Sequence, residues 1–123
     1  MTDTVLVVDD EADIRLMYRI VLQTAGYEVI EASTGEDALS ILDQTVPDAM
    51  ILDLWLPGID GWDVLALLRL SGALSDTPIF IASANAQPGQ QARADELGCA
   101  EMFTKPFSAE KLRDSLTRVL ATR

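Results

Sequence analysis

A chain of 123 residues is long enough for one globular unit with a real core, and it holds no run near the roughly 18 unbroken apolar residues of a membrane span. Twenty acidic against nine basic side chains give a formal charge of −11, which repels nucleic-acid phosphates and anionic lipid surfaces, so neither DNA nor membrane is an expected partner of this domain. Histidine is absent and cysteine occurs once, which excludes a Ser-His-Asp or Cys-His relay, a His-ligated zinc, a phosphohistidine and an internal disulfide.

The chain opens on VLVVDDE (5–11), four apolar residues running into three carboxylates. Met1-Thr2-Asp3 ahead of it lacks the basic start and apolar region of a signal peptide, so a reducing cytoplasm is the expected location. Residues 5–8 read as a strand, and Ile14, Met17, Tyr18, Val21 and Leu22 follow at helical spacing up to Gly26. The alternation repeats: 28–32 extended; 36–44 helical with Ala38, Ile41 and Leu42 inward; 49–52 extended; 62–70 helical. Residues 78–82 and 100–103 supply two more strands, separated by a polar helix around 90–97. Ser108 is placed to N-cap a last amphipathic helix marked by Leu112, Leu116, Val119 and Leu120. The sum is (βα)5. Strands that are apolar throughout need cover on both faces, which predicts an α/β, doubly wound parallel sheet in a single domain, 1–123, with no linker inside it.

Ligands of such sheets sit outside the carboxyl ends of the strands, where the winding reverses. There the sequence puts Asp9 and Asp10, then Asp53, Ser83 and Lys105, at the ends of strands one, three, four and five. If the strand order is 2-1-3-4-5, strands one and three are neighbours about 4.8 Å apart, and three carboxylates converge. Like charges so close raise one another's pKa or recruit a cation, and an oxygen-only donor set suits a hard ion such as Mg²⁺. The apolar VLVV then builds the central strand and DDE arms its end. With no Walker loop, any phosphoryl group must come from a donor other than ATP held in a P-loop.

Asp9-Asp10, Asp53 followed by LWLPGIDG, Ser83-Ala84 and Lys105-Pro106-Phe107, in register over the whole chain, resemble the receiver domain of bacterial two-component response regulators, chemotaxis receivers among them. The resemblance implies the 2-1-3-4-5 order and a phosphorylation-dependent signalling domain, not an enzyme with a separate substrate. It implies Asp53 as the carboxylate that becomes an aspartyl phosphate. It implies Mg²⁺ held by Asp10, Asp53 and the backbone carbonyl of Trp55, with Asp9 reaching the ion through water. Lys105 would pair with Asp53 and then with the phosphoryl group, Ser83 would hydrogen-bond a phosphoryl oxygen, and Lys105-Pro106 resembles the family's cis peptide. The implied partners are a sensor histidine kinase, a phosphotransfer protein or a small phosphodonor on one side. On the other stands a downstream target or output domain, reached through the face of the fourth helix, fifth strand and fifth helix, with self-association on phosphorylation. A stand-alone regulator and the receiver of a longer chain both fit the sequence.

Each residue also has a plainer reading. Acidic pairs are commonly solvated, Asp10 suits the N-cap of the first helix, and Glu11 its dipole. Pro57-Gly58 and Asp60-Gly61 are turn chemistry, and Cys99 is a small buried residue. Ser83 and Lys105 alone would be surface groups; their arrival at successive strand ends is what those readings leave unexplained. A haloacid-dehalogenase-type phosphatase would carry an acid two residues after the nucleophile, where this chain has Trp55. A flavodoxin-like electron carrier would carry a hydroxyl- and glycine-rich loop where this chain has DDE. The alternative kept is a phosphorylation-independent interaction module on the same fold.

Two departures from the family pattern stand out, and two further positions bear on lifetime. Met102 occupies the position, three before Lys105, where receivers commonly carry a rotating aromatic. The segment NAQPGQQARADELG is unusually polar for the fourth helix, with Asp95 where an apolar residue is common, so that helix is expected to open easily. Trp55 and Asn85 stand where the family tunes phosphoryl lifetime; a large indole over the site and a neutral amide predict slow self-dephosphorylation.

Overall fold

The computed structural model describes residues 2–84 and 87–122. Strand and helix alternate along it as β1 (Thr4–Val8), α1 (Ala12–Thr24), β2 (Glu28–Ala32), α2 (Gly35–Gln44), β3 (Ala49–Asp53), α3 (Gly61–Ser71), β4 (Ile79–Ser83), α4 (Gln90–Glu96), β5 (Glu101–Thr104) and α5 (Ala109–Ala121). The strands form one parallel sheet in the order β2-β1-β3-β4-β5, as the resemblance implied.

The sheet is apolar on both faces because it separates two cores. Leu6, Val8, Met50, Leu52, Ile79 and Ile81 point to one side, against Ala38 of α2, Val64, Leu65 and Leu68 of α3, and Ala94 of α4. Val5, Val7, Ala49, Ile51, Phe80 and Phe103 point to the other, against Tyr18 and Leu22 of α1 and Leu112, Leu116 and Leu120 of α5. Successive residues of one strand thus serve opposite cores, which is why no polar alternation shows in β1, β3 or β4.

Register does the positioning. Val8 pairs with Leu52, so Asp9 and Asp53 leave the sheet side by side. Ser83 pairs with Thr104, and the Lys105 amide donates to the Ser83 carbonyl at 2.7 Å, which ties the residue after β5 to the end of β4. Asp53 and Ser83 are the last residues of their strands, one position past the ends that the apolar runs suggested. The Lys105-Pro106 peptide is cis, as in the pattern the sequence resembles.

Helix ends depart from expectation at α1. Its N-cap is Glu11, with extended backbone and no side-chain cap, so Asp10 does not cap it. The Asp9 carboxylate accepts from the Glu11 amide instead, at 2.9 Å. Ser108 does cap α5, accepting from the Lys111 amide, and Asp60 with Asp63 forms a reciprocal capping box on α3. In α4, about two turns long, Ala94 is the inward residue and Asp95 faces solvent. Arg69 holds the far end of α4, donating to the carbonyls of Leu97, Leu74 and Gly98 at 2.6, 3.0 and 3.2 Å. Cys99 is half-buried rather than buried, and burial pushes its thiol up to about 11, which keeps it protonated and unreactive.

Candidate functional site

At the carboxyl edge of the sheet Asp9 is 1% exposed, Asp53 4% and Ser83 0%, while Asp10 beside them is open to solvent. One carboxylate oxygen each from Asp9, Asp10 and Asp53 lies within 4.8 Å of the others. The Lys105 ammonium reaches into this group from the end of β5 and binds Asp9 Oδ2 at 2.9 Å and Asp53 Oδ2 at 3.4 Å. The lysine was expected to pair with Asp53; its shorter contact is with Asp9. The structure thus brings Asp9, Asp10, Asp53 and Lys105 together, with Ser83 on the adjacent strand end.

The backbone fixes the remaining oxygens. Asp53 Oδ1 accepts from the Trp55 amide at 3.1 Å, and Asp9 Oδ1 from the Glu11 amide. Arg15 donates to the Asp9 carbonyl at 2.7 Å while its Nε pairs with Glu31 at 3.3 Å, so the end of β1 is clamped from α1 and β2. The Trp55 indole is 60% exposed and lines a groove of about 370 Å³ with Leu56, Asp60, Trp62 and Gln90, so it stands beside the site rather than sealing it. Asn85, the other expected lifetime residue, lies outside the described residues. Met102 is half-buried against the core that includes Ile81 and Ala94.

Burial and the neighbouring Asp9 raise the pKa of Asp53 above its ordinary value, against the lowering pull of the Trp55 amide and Lys105. Burial alone would lower Lys105, but its hydrogen bond to Asp9 and the charges of Asp53 and Asp9 more than restore it, and its pKa is raised. Three carboxylates against one ammonium leave two negative charges in a mostly buried space. The donors are all oxygen, and Asp10 opens the cluster to water. This set fits a hard divalent cation that keeps part of its hydration, as Mg²⁺ does.

Two contributors escaped the sequence reading. Gly61 looked like turn chemistry, yet a Cβ there would strike the Asp53 carbonyl oxygen and approach Leu54 Cα to 2.7 Å; α3 starts against the backbone of the candidate nucleophile. Glu36 of α2 accepts from the Ile59 amide at 3.0 Å and steadies the β3–α3 loop from outside it. The first was hidden because D-G dipeptides are common in turns; the second because an acid in a first helical turn reads as dipole charge.

The family model for the response regulator receiver domain matches residues 5–117. A probable transcriptional regulator, ycf27, of Guillardia theta is 38% identical over 118 residues, 96% of this chain and 45% of the relative. Sporulation initiation phosphotransferase F of Bacillus subtilis is 30% identical over 120 residues, 98% of this chain and 95% of the relative. Among solved structures, the response regulator protein TrrA of Thermotoga maritima, in complex with Mg²⁺ and BeF, superposes with a TM-score of 0.84 at 30% identity, covering 96% of this chain and 99% of that one. The chain spans about half the length of several curated relatives it matches.

Proposed function

This chain belongs to the response regulator receiver domain family and is a phosphorylation-dependent signalling domain, and from that premise we propose that Asp53 accepts the phosphoryl group, with Lys105 and Ser83 as its partners. The observation that carries the reading is the Lys105 ammonium, brought in from the end of β5 to bridge Asp9 and Asp53 beside the exposed Asp10.

An Asp53 carboxylate oxygen bonds to phosphorus as the bond from phosphorus to the donor's leaving group breaks. The leaving group is a phosphohistidine nitrogen of a kinase or phosphotransfer protein, or the acyl oxygen of a small phosphodonor, and it takes its proton from solvent. Asp10, Asp53 and the Trp55 carbonyl would hold Mg²⁺, with Asp9 acting through water; when bound, the ion supplies charge neutralisation at the phosphoryl oxygens. Asp53 Oδ1 is held by the Trp55 amide and Oδ2 lies 3.4 Å from the Lys105 ammonium, so the carboxylate is oriented from both of its oxygens. Lys105 then follows the new charge, and the Ser83 hydroxyl hydrogen-bonds a phosphoryl oxygen.

The domain, 1–123, turns over no separate substrate; its chemistry is its own phosphorylation and a slow loss of that group. It resides in the cytoplasm, and no helix among the described residues is long and apolar enough to cross a membrane. Downstream, the α4-β5-α5 face meets a target protein, an output domain or a second copy. A groove of about 890 Å³ along β5 and α5, lined by Met102, Phe107 and Arg118 among others, supports that choice of surface. The domain itself does not contact nucleic acid.

Intact mass after incubation with acetyl phosphate and Mg²⁺ tests the assignment: one phosphate adduct on the wild type and none on Asp53→Asn is expected. An equal adduct on Asp53→Asn ends the claim for that residue. No adduct on the wild type leaves the phosphorylation-independent module.

A further inference from the structure

Asp10 is the exposed acid of the cluster, where Asp9 and Asp53 are buried, so its side chain takes its direction from the backbone rather than from packing. Peptide groups are planar, and the Cα–Cβ bond of Asp10 therefore follows from the orientation of the two planes that meet there, Asp9-Asp10 and Asp10-Glu11. Both planes are held by side chains. The Glu11 amide donates to Asp9 Oδ1 at 2.9 Å, and the Asp9 carbonyl accepts from Arg15 Nη1 at 2.7 Å.

The second bond forms because β2 runs out. The Asp9 amide still donates to the Ala32 carbonyl at 3.1 Å, but Ala32 is the last residue of β2 and Thr34 already caps α2. The Asp9 carbonyl has no strand left to pair with, a backbone acceptor needs a donor, and Arg15 supplies it from the start of α1. The guanidinium is itself fixed. Its side chain is 19% exposed, its Nε pairs with Glu31 Oε1 at 3.3 Å, and Glu31 Oε2 pairs with Arg19 Nη1 at 3.2 Å. Glu31 stands in register with Val7, two residues before Asp9, so the planar fork of Arg15 can serve the carbonyl and the carboxylate together.

We propose that Arg15 is a positioning residue for the metal: held by Glu31, it fixes the Asp9-Asp10 peptide plane and so aims the exposed Asp10 carboxylate at the divalent cation. The inference rests on Asp10 as a Mg²⁺ ligand. A guanidinium this near the acidic cluster would by charge alone repel Mg²⁺, so positioning and plain electrostatics predict effects of opposite sign when Arg15 is removed.

The test measures Mg²⁺ binding to the whole chain by tryptophan fluorescence, at matched ionic strength and well below the melting temperature of each protein. Arg15→Met keeps most of the apolar stem and removes the donors. It is expected to weaken Mg²⁺ binding about tenfold, the weight of a group that orients a metal ligand, and to raise the Mg²⁺ concentration for half-maximal phosphorylation by acetyl phosphate by the same factor. A guanidinium that acted by charge alone would leave Arg15→Met binding Mg²⁺ more tightly. One that only supported the fold would lower the melting temperature and leave the affinity unchanged. An affinity in Arg15→Met tighter than wild type, or within about twofold of it, overturns the proposal. Arg15→Ala carries the same change of charge and decides by the same sign where Arg15→Met does not fold. Asp10→Asn separates this inference from the reading beneath it: a lost Mg²⁺ response there, with an unaltered one in Arg15→Met, overturns the role of Arg15 alone. An unaltered response in Asp10→Asn, or none in the wild type, overturns the ligand assignment and this proposal with it.

Discussion

Lys105 is shared unequally, 2.9 Å from Asp9 and 3.4 Å from Asp53, and that inequality sets the electrostatics of the site. Asp53 is buried and less completely compensated, so its raised pKa makes the folded state bind a proton more tightly than the unfolded chain. Its contribution to stability therefore falls as pH rises from the ordinary value of 3.8 through the folded value, and stays lost at neutral pH. In the presence of a chelator, Asp53→Asn is expected to be more stable than wild type at pH 7 by roughly 1 kcal/mol, a melting shift of about 4 °C at this chain length, with the advantage fading below about pH 4. Thermal melts across pH check it; no advantage at pH 7 would show that Lys105 fully offsets the burial cost. Lys105 runs the other way: its raised pKa supplies stability present at neutral pH and lost only as pH climbs past its ordinary 10.5. A third residue concerns lifetime. The exposed Trp55 indole beside the site leaves room for a water-orienting side chain, and Trp55→Asn is expected to speed phosphoryl loss about tenfold, or 1.4 kcal/mol of barrier. Decay rates of the two phosphoproteins equal within about twofold would remove Trp55 from that role. The sequence made Asp9, Asp10, Asp53 and Lys105 legible because each closes or follows a run with an unmistakable period. It did not say which carboxylate holds the ammonium, since that turns on half an ångström fixed by β1-β3 register and by amides from Glu11 and Trp55.

Elements were legible where a periodic face was long. The edge strand β2 and helices α2 and α3 lie within a residue of the boundaries expected, and α5 starts directly after Ser108, because apolar spacing and such caps mark them directly. The packing around α4 was not legible. Its polarity promised a loose helix, and nothing in the sequence says that Arg69, in the last turn of α3, spends its guanidinium on the Leu97, Leu74 and Gly98 carbonyls, or that Arg93 lies 4.3 Å over the Trp62 ring. These contacts pin α4 at its C-terminal end and along one side, while its N-cap, Gly89 in left-handed backbone, offers no side-chain bond. Arg69→Met keeps the apolar stem and removes the donors; amide exchange across 91–98 is expected to rise at least about tenfold, with β1 and β3 unchanged. Exchange spread evenly over the sheet would instead make Arg69 a global support. In the same measurement on wild type, beryllofluoride is expected to alter protection across 87–107, and identical protection would deny the α4-β5-α5 face its part in switching. The start of α3 gives a sharper test. Gly61→Ala drives a Cβ into the Asp53 carbonyl, and because the obstacle is backbone the strand end must shift, so the variant is expected to lose about 1–3 kcal/mol and most of its phosphorylation rate. A variant phosphorylated as fast as wild type would show that the strand end tolerates the shift.

At the scale of the molecule, one sheet with cores on both faces carries a formal charge of −11, with its most buried acids gathered at one edge. The two-sided core was legible, since only burial on both faces explains uninterrupted runs such as VLVV and AMIL. The concentration of charge was legible only once strand order was known, because a composition says how many acids there are and not which ones meet. Salt therefore acts at two levels that can be separated. Screening of long-range self-repulsion requires no site, so raising NaCl from about 20 to 300 mM is expected to lift the melting temperature by a few degrees in wild type and in every acidic-site variant alike. Mg²⁺ at matched ionic strength should add a second, saturable increment by mass action, about 2.7 kcal/mol at a hundredfold excess over its dissociation constant. Asp10 separates the two levels best, because it is solvent-exposed and its neutralisation leaves no buried charge unpaired. Asp10→Asn should keep the NaCl response, melt close to wild type without divalent ions, and lose most of the Mg²⁺ increment. An increment of equal size in Asp10→Asn would refute that ligand assignment. Equal effects of Mg²⁺ and Na⁺ at one ionic strength in wild type would mean that the acidic edge is held by Lys105 and water alone.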